Sequence, residues 1–183
     1  MTPKVFFSRE EMFKLNKERL AERGVSIESI AEIAYRQQYR YNKNISMKTA
    51  IESVEKILSY RDIFHLVQLG IEIDRLTEQG MFRSPIQEIM RADLGMFGVD
   101  EVFGLSIAGN FGVVGQTNFG DIDVNKPGIV EKLNADGKGE KCHTFLDDIV
   151  GAIAAAASTR VAQIVSEEEA HKDLVFKNMS LDL

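Results

Sequence analysis

The sequence contains no tryptophan, one cysteine (Cys142) and only three prolines among its 183 residues. A lone cysteine excludes intrachain disulfides and thiolate zinc clusters, which need at least two, and it fits a reducing compartment. Few prolines leave few obligatory helix stops, so long helices are expected in preference to a turn-rich β architecture. Long apolar runs are missing too. The charge-free stretch Val102 to Gly120 is broken by five glycines and by Ser106, Asn110, Gln116, Thr117 and Asn118, and Ile149 to Thr159 covers only 11 residues. A bilayer span needs about 20 mostly apolar residues, so no transmembrane span is expected. The start, Met1 to Phe7, carries Lys4 and is followed by Arg9, so it has no apolar core of a secretory signal, which points to the cytoplasm. An excess of positive charge is also lacking. With 22 basic and 28 acidic side chains the net charge is -6, which excludes nucleic acid as the main partner, because a phosphate backbone needs a concentrated basic face. A small anionic substrate stays possible if a local cation meets it.

The composition, 44% hydrophobic and 27% charged, is that of a soluble globular chain. Its length suits a single domain over residues 1–183. Helix signals dominate the first 92 residues. Ser8 with Glu11 forms a capping box, and Gly24 ends the helix at Arg23. Ser26 caps a second helix bearing Ile27, Ile30, Ile33 and Ala34, and Asn42 to Asn44 breaks it. Ser46 caps a third, with Ile51, Val54 and Leu58 on one face. From Arg61 the stripe Ile63, Phe64, Val67, Ile71 runs beside a second one, Leu66, Leu69, Ile73, Leu76, which predicts a helix buried on more than one side. His65, within it, is expected in the core. Ser84-Pro85-Ile86-Gln87 opens a short fifth helix.

Eight of the 14 glycines fall between Gly95 and Gly128, marking a functional centre in the same domain. A turn is expected at Gly95 to Gly98, a loop at Asn134 to Lys141, a last long helix from about Phe145 to Glu168, and a loose tail over Phe176 to Leu183. Ile149 to Ala157 is apolar all round, with small side chains. Strand signals are weak throughout. The expected architecture is therefore all-α, a bundle of six or seven helices around a buried Ala-rich central helix.

Two acid pairs stand out. Asp100-Glu101 precedes Val102, Phe103, Leu105 and Ile107, and Asp147-Asp148 heads the Ala-rich helix. Acids in a first helical turn interact favourably with the helix dipole, and Thr144 with Asp147 fits a capping box. Asp148 has no such role, and adjacent helical residues point about 100° apart, so at least one of the pair turns toward buried neighbours, which is costly unless it is paired or bound to metal. Carboxylates gathered this way suit Mg²⁺, which takes oxygen ligands.

Asp121 to Pro127 fails as a calcium EF-hand, since Lys126 and Lys132 stand where Gly and Glu are required. It also fails as a haloacid-dehalogenase nucleophile motif, since Asn125 takes the final place. Two readings remain: a solvated turn, or a loop in which Asp123 faces a metal and Lys126 meets a negative substrate, with Pro127 opening the next helix. The glycines have no Gly-Lys-Ser/Thr, which excludes a P-loop, and Gly104 is better explained by close helix packing. Thr117 and Asn118 could bind a ligand through hydrogen bonds. Cys142 has Asp148 where a cysteine phosphatase needs Arg. His65, His143 and His171 have no metal-ligand spacing.

Asp100-Glu101-x-x-Gly104, Asp123-x-x-Lys126-Pro127 and Asp147-Asp148-Ile149-Val150, in that order, resemble the motifs of the phosphatidylglycerophosphatase A family over about Asp93 to Arg160. The whole chain is similar to that family's soluble branch in Gram-positive bacteria. The resemblance implies a Mg²⁺-dependent phosphatase that removes the terminal phosphate of phosphatidylglycerophosphate. It implies Asp100, Glu101, Asp147 and Asp148 as metal ligands, Asp123, Lys126 and Asp147 as catalytic residues, and Lys126 as the phosphate contact, with Asn118 a further substrate-binding candidate. Magnesium would offset the repulsion between these acids and a phosphate dianion. The competing function is a non-catalytic helical module that keeps the acid cluster for a bound cation. Apolar residues on several helix faces suggest a homodimer or higher homo-oligomer in either case.

Overall fold

The computed structural model describes residues 6–93, 96, 98–136 and 141–181, with side chains up to residue 171. The turn expected at Gly95 to Gly98 and the loop expected over Asn134 to Lys141 lie partly outside the described residues, as do the last two residues of the expected tail. Among the described residues the chain is all-helical, with nine helices and no strand: α1 (Arg9–Glu22), α2 (Ile27–Tyr39), α3 (Met47–Leu58), α4 (Arg61–Glu78), α5 (Ile86–Arg91), α6 (Glu101–Gly109), α7 (Gly112–Asn125), α8 (Ile129–Asp136) and α9 (Leu146–Leu181). The count exceeds the expected six or seven because the glycine-rich segment is itself helical. Asp121 to Asn125, expected in a turn or loop, forms the last turn of α7.

The first three helices begin where their own residues dictate. Ser8 accepts from the Glu11 amide at 3.2 Å while Glu11 accepts from the Ser8 amide at 2.8 Å. Ser26 and Ser29 exchange the same pair of bonds, and Ser46 accepts from the Thr49 amide. Each satisfies amides that the helix itself cannot. Gly24 and Gly80, with φ of 80° and 68°, take left-handed conformations just past α1 and α4, where a Cβ would be strained. The second stripe of α4 is buried only in part: Leu66 and Ile73 pack against the core, Leu69 is 53% exposed, and the fully inward positions are Ile63, Val67, Gly70, Ile71, Asp74 and Thr77. His65, expected in the core, is exposed, its ring edge-on to Phe64.

Helix α9 packs against α2, α3, α4, α6, α7 and α8. Ala152, Ala154, Ala155, Ala156 and Ala157 are fully buried along with Ile149, Val150, Ile153 and Val161. Each large side chain among them contributes roughly 1.5–3 kcal/mol by leaving water. Small residues on both sides set the close approach. A methyl added at Gly104 would lie 2.5 Å from the Phe119 ring, one at Gly70 2.2 Å from Ile149, and one at Gly115 2.3 Å from the Ala108 carbonyl oxygen. The part Leu146–His171 is long and apolar enough to cross a membrane, and 67% of its apolar window is buried inside the protein. This departs from the expectation of no such segment, because the apolar stretch continues beyond Arg160. That one charge between Ile149 and Val165 donates to Ser53 at 3.0 Å. The helix continues past Glu168 to Leu181, over much of the segment expected to be a loose tail.

Candidate metal centre

Three helix ends supply the acids. Asp100 and Glu101 stand at the start of α6, Asp123 and Lys126 at the end of α7, and Asp147 and Asp148 in the first turn of α9. Asp100 occupies the N-cap position of α6 but makes no capping hydrogen bond, so the stabilising role open to an acid there is not taken up. One oxygen each of Asp100, Glu101 and Asp148 lies within 4.8 Å of the others. Asp100 Oδ1 and Glu101 Oε2 are buried without a hydrogen-bond partner. Carboxylates held this close repel unless a proton or a cation is shared. The donor set is all oxygen, which suits a hard divalent cation.

Asp123 and Asp147 meet Lys126 instead. Its ammonium lies 2.7 Å from Asp123 Oδ1, 3.1 Å from Asp147 Oδ2 and 3.5 Å from Asp148 Oδ1. Lys126 caps α7 in a left-handed conformation, φ 42° and ψ 56°, and Pro127 then turns the chain toward α8. The other oxygen of Asp147 accepts from the Asp148 amide at 3.0 Å. Both Asp147 oxygens are therefore engaged by donors of the protein, and the four acids assigned to metal divide: Asp100, Glu101 and Asp148 each bring an oxygen within 4.8 Å of the others, and Asp147 faces the lysine. Asn118 is not brought to this place. It donates to Thr159 Oγ1 at 3.1 Å, some three turns along α9 from Asp148, or about 16 Å at 1.5 Å per residue.

The start of α9 is held from a distance. The expected capping box of Thr144 and Asp147 does not form, because the Thr144 hydroxyl donates to the Met90 carbonyl at 3.0 Å. The fully buried Asp74 of α4 takes its place, accepting from the Phe145 amide at 3.1 Å and the Leu146 amide at 3.0 Å. Glu78, one turn further along α4, accepts from the Cys142 amide at 2.8 Å and from Arg23 at 2.6 Å and 3.1 Å. Arg23 also donates to the Cys142 carbonyl and contacts His143 Nδ1. Burial, then the charge of Arg23, lowers His143 to about 4, so its ring is neutral near pH 7. Sequence reasoning missed Asp74 and Glu78; in sequence they are two acids among many on a helix. It also missed Asp93, half-buried with φ 48°, a conformation Asp tolerates better than most residues.

Electrostatics follow the crowding. Burial, then the neighbouring Asp147, pushes Asp148 up to about 9 despite Lys126. Burial raises Asp147 to about 6 against the pull of Lys126, and Asp93 adds to the rise. The Asp100 side chain, then burial, raises Glu101 to about 7. Asp74 is raised to about 8 by burial, opposed by the two amides it caps. For Lys126, burial alone would favour the neutral amine, but Asp147, Asp123 and Asp148 outweigh it and raise its pKa. The lysine stays charged, while the acids around the open oxygens compete for protons that a metal would displace.

The family model described as phosphatidylglycerophosphatase A matches residues 26–163. The chain is 41% identical over 170 residues to the uncharacterized protein YpjQ of Bacillus subtilis strain 168, covering 91% of this chain and 95% of that one. A crystal structure of the low temperature requirement C protein from Listeria monocytogenes superposes with a TM-score of 0.81 at 42% identity, covering 85% of this chain and 97% of that chain. A protein of unknown function from Bacillus stearothermophilus gives a TM-score of 0.79 at 46% identity over 83% of this chain and 98% of that chain.

Proposed function

Because the chain belongs to the phosphatidylglycerophosphatase A family, we propose that it is a Mg²⁺-dependent phosphoric monoester hydrolase acting on phosphatidylglycerophosphate. The observation that carries the reading is the pair of buried, donorless oxygens on Asp100 and Glu101 beside an oxygen of Asp148. A site built only for stability would supply a donor there, since an unpaired buried acceptor costs about 1–3 kcal/mol, and more when charged.

Asp100, Glu101 and Asp148 would hold the cation. When bound, it supplies charge neutralisation to the phosphoryl and leaving oxygens. Lys126 keeps its ammonium on Asp123 and Asp147 and turns its third and longest interaction, now with Asp148, toward a phosphoryl oxygen. Asp123 is the most open of the three acids around Lys126, with 30% of its side chain exposed against 10% and 6% for Asp147 and Asp148. Lys126 takes its Oδ1, and its Oδ2 is the atom we assign to accept a proton from water or return one to the leaving alcohol. Asp147 fixes Lys126 and the first turn of α9.

The test is phosphate release from an aryl phosphate and from phosphatidylglycerophosphate in mixed micelles, with and without Mg²⁺. Asp148→Asn is expected to lower the rate about 10³-fold, the scale on which loss of transition-state charge stabilisation acts. A folded wild-type protein inert on both substrates would leave the second reading, a helical module that keeps a cation without turnover. We place the protein in the cytoplasm, as one domain over 1–183. We assign its self-association to exposed apolar positions such as Val102, Leu105, Val113 and Val114.

A further inference from the structure

We propose that the centre takes one divalent cation per chain, because the ammonium of Lys126 already fills the position of a second. The inference rests on the metal-dependent reading above and concerns what Lys126 does there. Three carboxylate oxygens, from Asp123, Asp147 and Asp148, converge on a single point at 2.7, 3.1 and 3.5 Å, and that point is Lys126 Nζ. Oxygens arranged so would need to close in by only about 1 Å to reach Mg²⁺ bonding distance. One oxygen each of Asp100 and Glu101 also comes within 4.8 Å of an oxygen of Asp148, and Asp100 Oδ1 and Glu101 Oε2 are buried without a hydrogen-bond partner. Asp148 thus belongs to two cation positions, one furnished by the chain's own lysine and one formed with Asp100 and Glu101.

The backbone shows that the arrangement is built in. A lysine at a helix C-cap ordinarily sends its ammonium to water. Here the left-handed Lys126, with Pro127 and the left-handed Gly128 after it, turns the chain so that only 27% of the side chain remains exposed. Burying an ammonium is costly unless charges of opposite sign surround it, and three do. A neutral side chain at this position would leave Asp123 and Asp147 without a counter-charge and reopen the second position.

Titration with Mn²⁺, counted by electron paramagnetic resonance of the free ion and by calorimetry on the full chain, tests this. Wild type is expected to bind one ion, Lys126→Met two, and Lys126→Arg one. Asp123→Asn, which removes an acid from the lysine's surroundings only, is expected to keep one ion with affinity changed by less than about tenfold, the low end of effects through residues that do not bind the metal. Two ions on wild type, or one on a folded Lys126→Met, overturns the proposal. If Lys126→Met does not fold, loss of the single ion in Asp123→Asn overturns it, and retention upholds it. No ion on wild type overturns the metal-dependent reading itself, whereas one ion on both wild type and Lys126→Met leaves that reading standing and removes this inference alone.

Discussion

The helices of the first third and the helices of the glycine-rich half begin in different ways. α1, α2 and α3 are each opened by a serine that bonds an amide three residues ahead. α6 has an aspartate at its start that caps nothing, and α9 is capped by Asp74, 71 and 72 positions earlier in the chain. Where starts are local, the acids near them serve the helix. Where a start is supplied from elsewhere or left out, the acids at that start are released for other work, and those are the ones that gather at the candidate centre.

Asp74 is the place to break this contrast most severely. Asp74→Ala leaves the Phe145 and Leu146 amides buried without acceptors, and at about 1–3 kcal/mol for each such group the expected loss is about 3–4 kcal/mol in urea denaturation. Divalent affinity should fall with it, because Asp148 sits two residues beyond the capped amides. A loss under 1 kcal/mol would mean that α9 starts as locally as α1 does.

The acids give the next largest effect. Glu101, Asp147 and Asp148 hold their protons more tightly in the folded chain than in the unfolded one, at about 7, 6 and 9. The folded state then binds more protons, so their contribution is fully present below about pH 4 and is lost as pH rises through 6 to 9. In the metal-free protein the melting temperature is therefore expected to fall from pH 6 to pH 9. Saturating Mg²⁺ should flatten or reverse the trend, since the cation replaces the protons. A metal-free melting temperature that rises over this range contradicts the account.

Gly104→Ala sharpens the comparison at the level of packing. Its methyl meets the Phe119 ring at 2.5 Å, and overpacking of this kind costs about 1–3 kcal/mol; calorimetric melting checks it. The smallest effect belongs to the local caps. Ser8→Ala is expected to lose about 1 kcal/mol in urea denaturation and to leave Mn²⁺ affinity unchanged, which a shifted affinity would refute.

The same contrast explains what the sequence made legible. Capping boxes, stop glycines and apolar stripes act within a few residues, so the boundaries of α1 to α4 and the helical class could be read directly. The acid pairs were legible because two adjacent carboxylates against apolar neighbours demand a reason. The glycine-rich segment was harder, since Gly112, Gly115 and Gly120 suggest loops by propensity yet lie in α7, where Gly115 lets the helix approach the Ala108 carbonyl of α6 closely. Thr144 and Asp147 matched a capping pattern that Asp74 and Met90 override through contacts no local pattern contains. The division of labour between Asp147 and Asp148 depends on which way Lys126 points, and that is set by the backbone turn at its own residue.

The borrowed cap of α9 also has a consequence in time. A serine-opened helix can form as soon as its own residues are free to coil, but the first turn of α9 stays open until α4 has docked, and closing a loop that long is slow compared with closing a local turn. During refolding, helical circular dichroism is therefore expected to recover ahead of Mn²⁺ binding, and simultaneous recovery of the two signals would argue against this order. A newly made chain is then expected to be largely helical before the oxygens of Asp100, Glu101 and Asp148 are brought together.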